Sequence, residues 1–171
     1  YKIIYDDKKI SILENLNVLP RVYFANQVIS VPDISVAYEN IWEKTKINNE
    51  EYFNLKKITI IESIENINKN FNNKNNLTEI LEYSNNKIIM KTKTAGESFL
   101  VFSDTNYPGW KAFIDGGETE IYNTNGSLKG IFIPEGDHII EFKFVNRFFY
   151  ILLVTSSSVI VVSFGFVVIL I

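Results

Sequence analysis

Ser98-Phe-Leu-Val-Phe-Ser-Asp-Thr-Asn-Tyr-Pro-Gly-Trp-Lys-Ala-Phe-Ile-Asp-Gly116 is the stretch on which the fold turns. Ser98 to Ser103 is a nearly continuous apolar run, the pattern of a strand covered on both faces. Tyr107-Pro108-Gly109-Trp110 then puts Pro second and Gly third in a four-residue turn. Type II geometry favours that order, because Pro pre-sets φ and Gly accepts a positive φ. Trp110 to Asp115 resumes as a strand and is expected to turn at Gly116-Gly117.

The same punctuation continues in both directions. Downstream, Glu118 to Tyr122 returns, Asn125-Gly126 turns, Leu128 to Ile133 runs to Pro134-Glu135-Gly136, and a last strand follows. In that strand Ile140, Phe142 and Phe144 point one way, Glu141 and Lys143 the other. Upstream, Ile80 to Tyr83 and Lys87 to Thr94 flank Asn85-Asn86, a pair that tolerates the positive φ of a tight hairpin. Some seven short strands at this spacing predict an antiparallel β-sandwich over 77–146.

The first 65 residues read as a mixed α/β segment packing with the sandwich. Ile10 to Val18, Arg21 to Ile29 and Ile58 to Ile61 have strand composition. Asp33 is placed to cap a short helix reaching about Lys44, with Ile34, Ala37, Tyr38, Ile41 and Trp42 on one face. Residues 66–76, rich in asparagine, read as a polar loop or linker.

At the other end, Phe148 to Ile171 carries no charge and meets the length of roughly 20 apolar residues that a bilayer core requires of a helix. The competing reading, strands buried in a core, is disfavoured by the absence of any turn signal. A transmembrane helix over 147–171 is therefore expected, with Phe148, Phe149 and Tyr150 where an interfacial aromatic belt falls. Lys143 and Arg147 just before it cast a weak positive-inside vote for a cytoplasmic domain. The chain opens at Tyr1 with neither methionine nor a signal-peptide pattern, so it is expected to be a segment of a longer protein.

Composition excludes several chemistries. A net charge of −3, with 17 basic residues scattered among 20 acidic ones, leaves no phosphate-binding face for nucleic acid. With no cysteine there is no thiolate site, and one histidine, His138, cannot supply a two-imidazole metal centre. His138 follows a turn and is expected on the polar face of its strand. No metal and no cofactor are expected. Asn76-Leu-Thr and Asn125-Gly-Ser match the glycosylation acceptor pattern, which in a bacterial protein is more often coincidence.

Three segments together resemble the carboxy-terminal part of YfhO-type bacterial membrane proteins. They are Asp104-Thr-Asn-Tyr-Pro-Gly-Trp-Lys-Ala-Phe-Ile-Asp-Gly, Ile121-Tyr-Asn-Thr-Asn-Gly, and Gly130-Ile-Phe-Ile-Pro-Glu-Gly-Asp-His-Ile-Ile-Glu-Phe-Lys-Phe. Leu19-Pro-Arg-Val-Tyr-Phe is similar to an upstream segment of the same family. The resemblance implies a multi-pass parent of the GT-C glycosyltransferase type, using a lipid-linked sugar donor in glycosylation of envelope polymers such as lipoteichoic acid. It also implies that residues 1–146 lie outside the cytoplasm, which outweighs the charge vote. In such enzymes the catalytic acids lie in early outer loops absent from this chain, so no catalytic residue is carried over.

Around the turn, Asp104, Tyr107, Trp110, Lys111 and Asp115 are the candidate glycan contacts, the indole being suited to stack on a pyranose. The structural alternatives are a Trp anchored in the core and Asp side chains bonded to their own turns. Asp104 and Asp115 are also the one carboxylate pair near the motif that could imitate a glycosidase. The functional expectation is an extracytoplasmic accessory domain of a membrane glycosyltransferase-like protein, structural or acceptor-binding. Its partners are the bilayer and, through the parent, lipid-linked sugar or envelope polymer. The alternative is a non-enzymatic, membrane-anchored protein-interaction module.

Overall fold

A computed structural model describes residues 2–16, 18–33, 35–36, 38–39, 58–145 and 155–156. In chain order its strands are β1 (Lys2–Asp6), β2 (Ser11–Glu14), β3 (Val22–Phe24), β4 (Gln27–Val31), β5 (Ile58–Glu62), β6 (Asn68–Asn70) and β7 (Leu77–Tyr83). They continue as β8 (Lys87–Thr94), β9 (Ser98–Thr105), β10 (Trp110–Ile114), β11 (Gly117–Thr119), β12 (Tyr122–Thr124), β13 (Leu128–Ile133) and β14 (Gly136–Phe144). The chain is mainly β, as its alternating patterns predict.

Two sheets face each other. One has five strands in the order β11-β10-β14-β8-β7, the other seven in the order β3-β9-β13-β12-β5-β4-β6. The core between them joins Ile88, Met90, Ala112, Ile140 and Phe142 of the first to Val22, Leu100, Phe102, Ile131 and Ile133 of the second. The alternation read in the last strand is observed: Ile140 and Phe142 are buried and Lys143 is exposed. The Ser98–Ser103 run is an interior strand with both faces covered, Leu100 and Phe102 in this core and Phe99 and Val101 in another.

That second core exists because the seven-stranded sheet curls. β3 and β4 stand near opposite ends of its strand order, yet only Ala25 and Asn26 separate them in sequence. The single strand expected over Arg21–Ile29 is therefore bent in two, pairing with β9 on one side of the bend and with β5 on the other. The curl wraps Tyr23, Ala25, Val28, Ile61, Phe99 and Val101 into an enclosed cluster. Gly130 permits the wrap, since a Cβ there would collide with Thr124 Oγ1 and the Phe99 ring. The β4–β5 pairing is parallel, an exception to the antiparallel rule elsewhere.

The turns obey their local chemistry, with two corrections. Tyr107-Pro-Gly-Trp closes with the Trp110 N–H donating to the Tyr107 carbonyl at 3.3 Å and Gly109 at φ 111°, as type II requires. Asn125 and Gly126 both have positive φ, the primed turn their pair favours. The β10–β11 turn, however, is Asp115-Gly116 and not Gly116-Gly117: both have positive φ, and Ile114 pairs with Gly117. Nor does Asn85-Asn86 take positive φ; β7 carries a bulge between Ile80 and Glu82 that takes up twist there instead.

Within 66–76 the chain forms β6 and is stapled by asparagines. Asn76 donates to Asn73 Oδ1 and Ser98 Oγ and accepts from the Ala95 N–H. Asn73 donates to the Ala25 carbonyl at 2.7 Å. Asp33 caps its helix, Oδ1 accepting the N–H of Ser35 at 2.7 Å and of Val36 at 3.2 Å, and these bonds hold its carboxyl below the usual range. The rest of that helix lies outside the described residues. So does the run expected to cross the membrane, apart from Thr155 and Ser156, which are helical. Among the described residues no helix is long and apolar enough to span a bilayer.

Candidate functional site

The Tyr107–Trp110 turn builds an open cleft of about 380 Å³ at one end of the five-stranded sheet. Its walls are this turn with Lys111 on one side, and Glu118, Thr119, Glu120 and Ile121 on the other. Tyr107 is exposed, and its ring rests 6.5 Å from that of Phe144. Lys111 Nζ bonds both oxygens of Glu118, at 2.7 and 2.8 Å, across the β10–β11 hairpin. The cleft is therefore lined by an exposed phenol, the Trp110 side chain, a lysine paired with a carboxylate, and a second carboxylate at Glu120.

Trp110 is half-buried, its ring centroid 5.7 Å from that of Phe144 in an edge-to-face arrangement. One face of the indole lies 4.1 Å from Lys129 Nζ, a cation–π contact. Lys129 is fully buried, and its ammonium also donates to the Thr105 carbonyl at 2.6 Å. Burial pushes its pKa below the ordinary lysine range, against the opposing pull of Asp104 at 3.4 Å. Lys129 was legible in the alternation of its strand: it has the parity of Ile131 and Ile133, which face the core. In this arrangement Asp104 serves the lysine beneath Trp110.

Of the five residues expected at one site, the cleft gathers Tyr107, Trp110 and Lys111. Asp104 sits behind them, and Asp115 lies at the opposite end of β10. There Asp115 Oδ1 accepts the Ile139 N–H at 2.8 Å, and Oδ2 is 2.6 Å from His138 Nδ1. Asp104 and Asp115 thus hold different partners at opposite ends of the strand and do not face one another as glycosidase carboxylates do.

His138 also corrects an expectation. It lies on the same side of β14 as Ile140, folded against the turn, and not on the polar face. Its Nε2 is 3.2 Å from the Glu135 carbonyl, so both ring nitrogens meet acceptors and the doubly protonated imidazolium fits best. Accordingly the Asp115 carboxylate raises the histidine pKa above its usual value, burial opposing, while His138 and then the Ile139 amide lower that of Asp115. Tyr122 is pushed up to about 12 by burial and by Glu120, which removes its hydroxyl from acid–base chemistry near neutrality. Among the described residues no group of three His, Asp or Glu is placed to hold a metal ion.

No curated protein and no solved structure matches the chain. The family described as bacterial membrane protein YfhO matches residues 61–156, which take in β6 to β14, the Tyr107–Trp110 turn and the first part of the apolar run. More than half of the chain lies within that match, which contains the three segments between Asp104 and Phe144 that carry the resemblance; Leu19–Phe24 lies outside it. The chain belongs to the YfhO family of bacterial membrane proteins.

Proposed function

We propose that this chain is the extracytoplasmic accessory domain of a polytopic, glycosyltransferase-like membrane protein acting on cell-envelope polymer, of which lipoteichoic acid is one example. The apolar run over 147–171 is its transmembrane helix. The parent transfers sugar from a lipid-linked donor with catalytic groups located elsewhere, while this domain braces the membrane part or holds acceptor polymer. The observation that carries the reading is the reach of the family match, which joins the sandwich to the beginning of the apolar run. The cleft at Tyr107, Trp110 and Lys111 supplies the acceptor-binding surface, with Asp104 positioned behind it.

The test is a titration of the detergent-solubilised chain with envelope glycans, following Tyr107 side-chain resonances. Saturable binding in the millimolar range or tighter, lost in Trp110→Ala and weakened in Lys111→Ala, is expected. No binding would leave only the bracing role. A second reading, a membrane-anchored protein-interaction module, is favoured by the β1–β2 hairpin. All of its strand residues are exposed, including Ile3, Ile4, Tyr5, Ile12 and Leu13. An isolated hairpin with such a surface is marginal in water and calls for a covering partner.

A further inference from the structure

The outer face of the five-stranded sheet carries a rank of like charges close to where the chain leaves it. Lys111 of β10 stands directly opposite Lys143 of β14, and Lys143 directly opposite Lys87 of β8. Cross-strand partners point to the same side, and their neighbours Ala112, Phe142 and Ile88 point into the core, so all three lysines face outward. Like charges directly opposite one another weaken a sheet. Glu118 neutralises Lys111 and Glu82 neutralises Lys87, whereas Lys143, in the middle, has no ion-pair partner among the described residues. Glu141 lies one step further from this end on the same face.

The position of the rank is fixed by the turn beside it. The Val145 N–H donates to the Gly109 carbonyl at 2.7 Å, and the Phe144 N–H to the Asn86 carbonyl at 2.8 Å. The Tyr107–Trp110 and Asn85-Asn86 turns are thereby tied to the last described residues before the apolar run. From Val145 to Phe148 is three residue steps, at most about 11 Å of chain in any conformation. The exposed Tyr107 and the lysine rank thus sit within reach of the start of that run, and near the Debye length of physiological salt.

The geometry points to an anionic bilayer surface as the partner of this end of the sandwich, with Lys143, the one lysine of the rank that no carboxylate neutralises among the described residues, facing lipid phosphates and Tyr107 at the interface. The inference rests on the apolar run crossing the membrane. It goes further in assigning which end of the domain lies on the lipid and by what charges. Tyrosine beside lysine is the pairing that membrane interfaces accept, an amphipathic ring next to cations attracted to anionic headgroups. It also gives the uncompensated Lys143 a counter-charge. The Asp115–His138 end, about 17 Å from Lys143 along β14, faces away from the membrane.

Because the chain has no cysteine, single labelling sites are clean. The full chain bearing a fluorophore at Tyr107→Cys, or at Glu135→Cys on the far end, is reconstituted into phosphatidylcholine vesicles with or without phosphatidylglycerol. Quenching by headgroup-spin-labelled lipid is then read. Quenching at position 107 is expected to exceed that at 135 by about twofold or more with anionic lipid, as interfacial attraction acts over a Debye length. Lys143→Glu should reduce the anionic enhancement without changing quenching in neutral vesicles, and high salt should do the same. Equal quenching at the two sites, or no dependence on anionic lipid, overturns the inference while leaving the membrane span intact. A chain that leaves the vesicles on alkaline extraction overturns both.

Discussion

At Lys129 a charged side chain occupies a core position of β13, and its surroundings explain how. The Thr105 carbonyl, the Trp110 face and Asp104 replace the water it loses. Truncation would leave a carbonyl without its donor and a void under the indole. Lys129→Ala is expected to cost about 2–4 kcal/mol, from the lost bond, the cation–π contact and the cavity. Lys129→Met, which keeps the volume, should cost about half of that. Urea unfolding of the two variants checks the order; a Lys129→Met variant as stable as the wild type would mean that the ammonium contributes nothing specific. At this scale the sequence was legible wherever backbone conformation dictates the residue. Tyr107-Pro-Gly-Trp and Asn125-Gly126 each need a positive φ and take the glycine or asparagine that accepts it. It was not legible where a polar side chain finds distant partners: nothing local pairs Asp115 with His138, 23 positions away, or Asn76 with Ser98.

The β10–β11 hairpin and β14 form an element whose cohesion depends on pH through the Asp115–His138 contact. His138 has a raised pKa in the folded protein, so its contribution to stability is complete below the unfolded value of about 6.5 and fades as pH rises through the folded one. Asp115 has a lowered pKa, so its contribution is present above about 3.9 and fades as pH falls through the folded value. The pair is therefore at full strength between those two values. For a pair half open to water it adds less than about 1 kcal/mol. Stability from chemical denaturation should decline from pH 6 toward alkaline pH, and His138→Gln should flatten that decline. An unchanged slope in the variant would remove the ion pair from the account. Alternation revealed β14, which has one face against apolar neighbours, and an unbroken apolar run revealed β9, which has both; turn residues marked the ends of β8, β10 and β13. The bend between β3 and β4 was hidden, since both halves are apolar and only their partners differ.

Among the described residues, the two larger cores have separate origins, one from facing sheets and one from a sheet wrapped on itself. The curl is a non-local property: β4 pairs with β5 across some thirty residues, and no periodicity in either strand announces it. Asymmetry between the ends of the sandwich is what links fold to function in this account. One end carries Tyr107, the cleft and the lysine rank beside the exit of the chain; the other carries the Asp115–His138 contact. The central claim is that this domain stands outside the cytoplasm, tethered by the apolar run. Labelling Glu135→Cys with a membrane-impermeant maleimide, in intact cells expressing the protein from its own gene, tests it most directly. The same labelling above wild-type background is expected before and after permeabilisation. Labelling that appears only once the cells are opened would place the domain on the cytoplasmic side and contradict it.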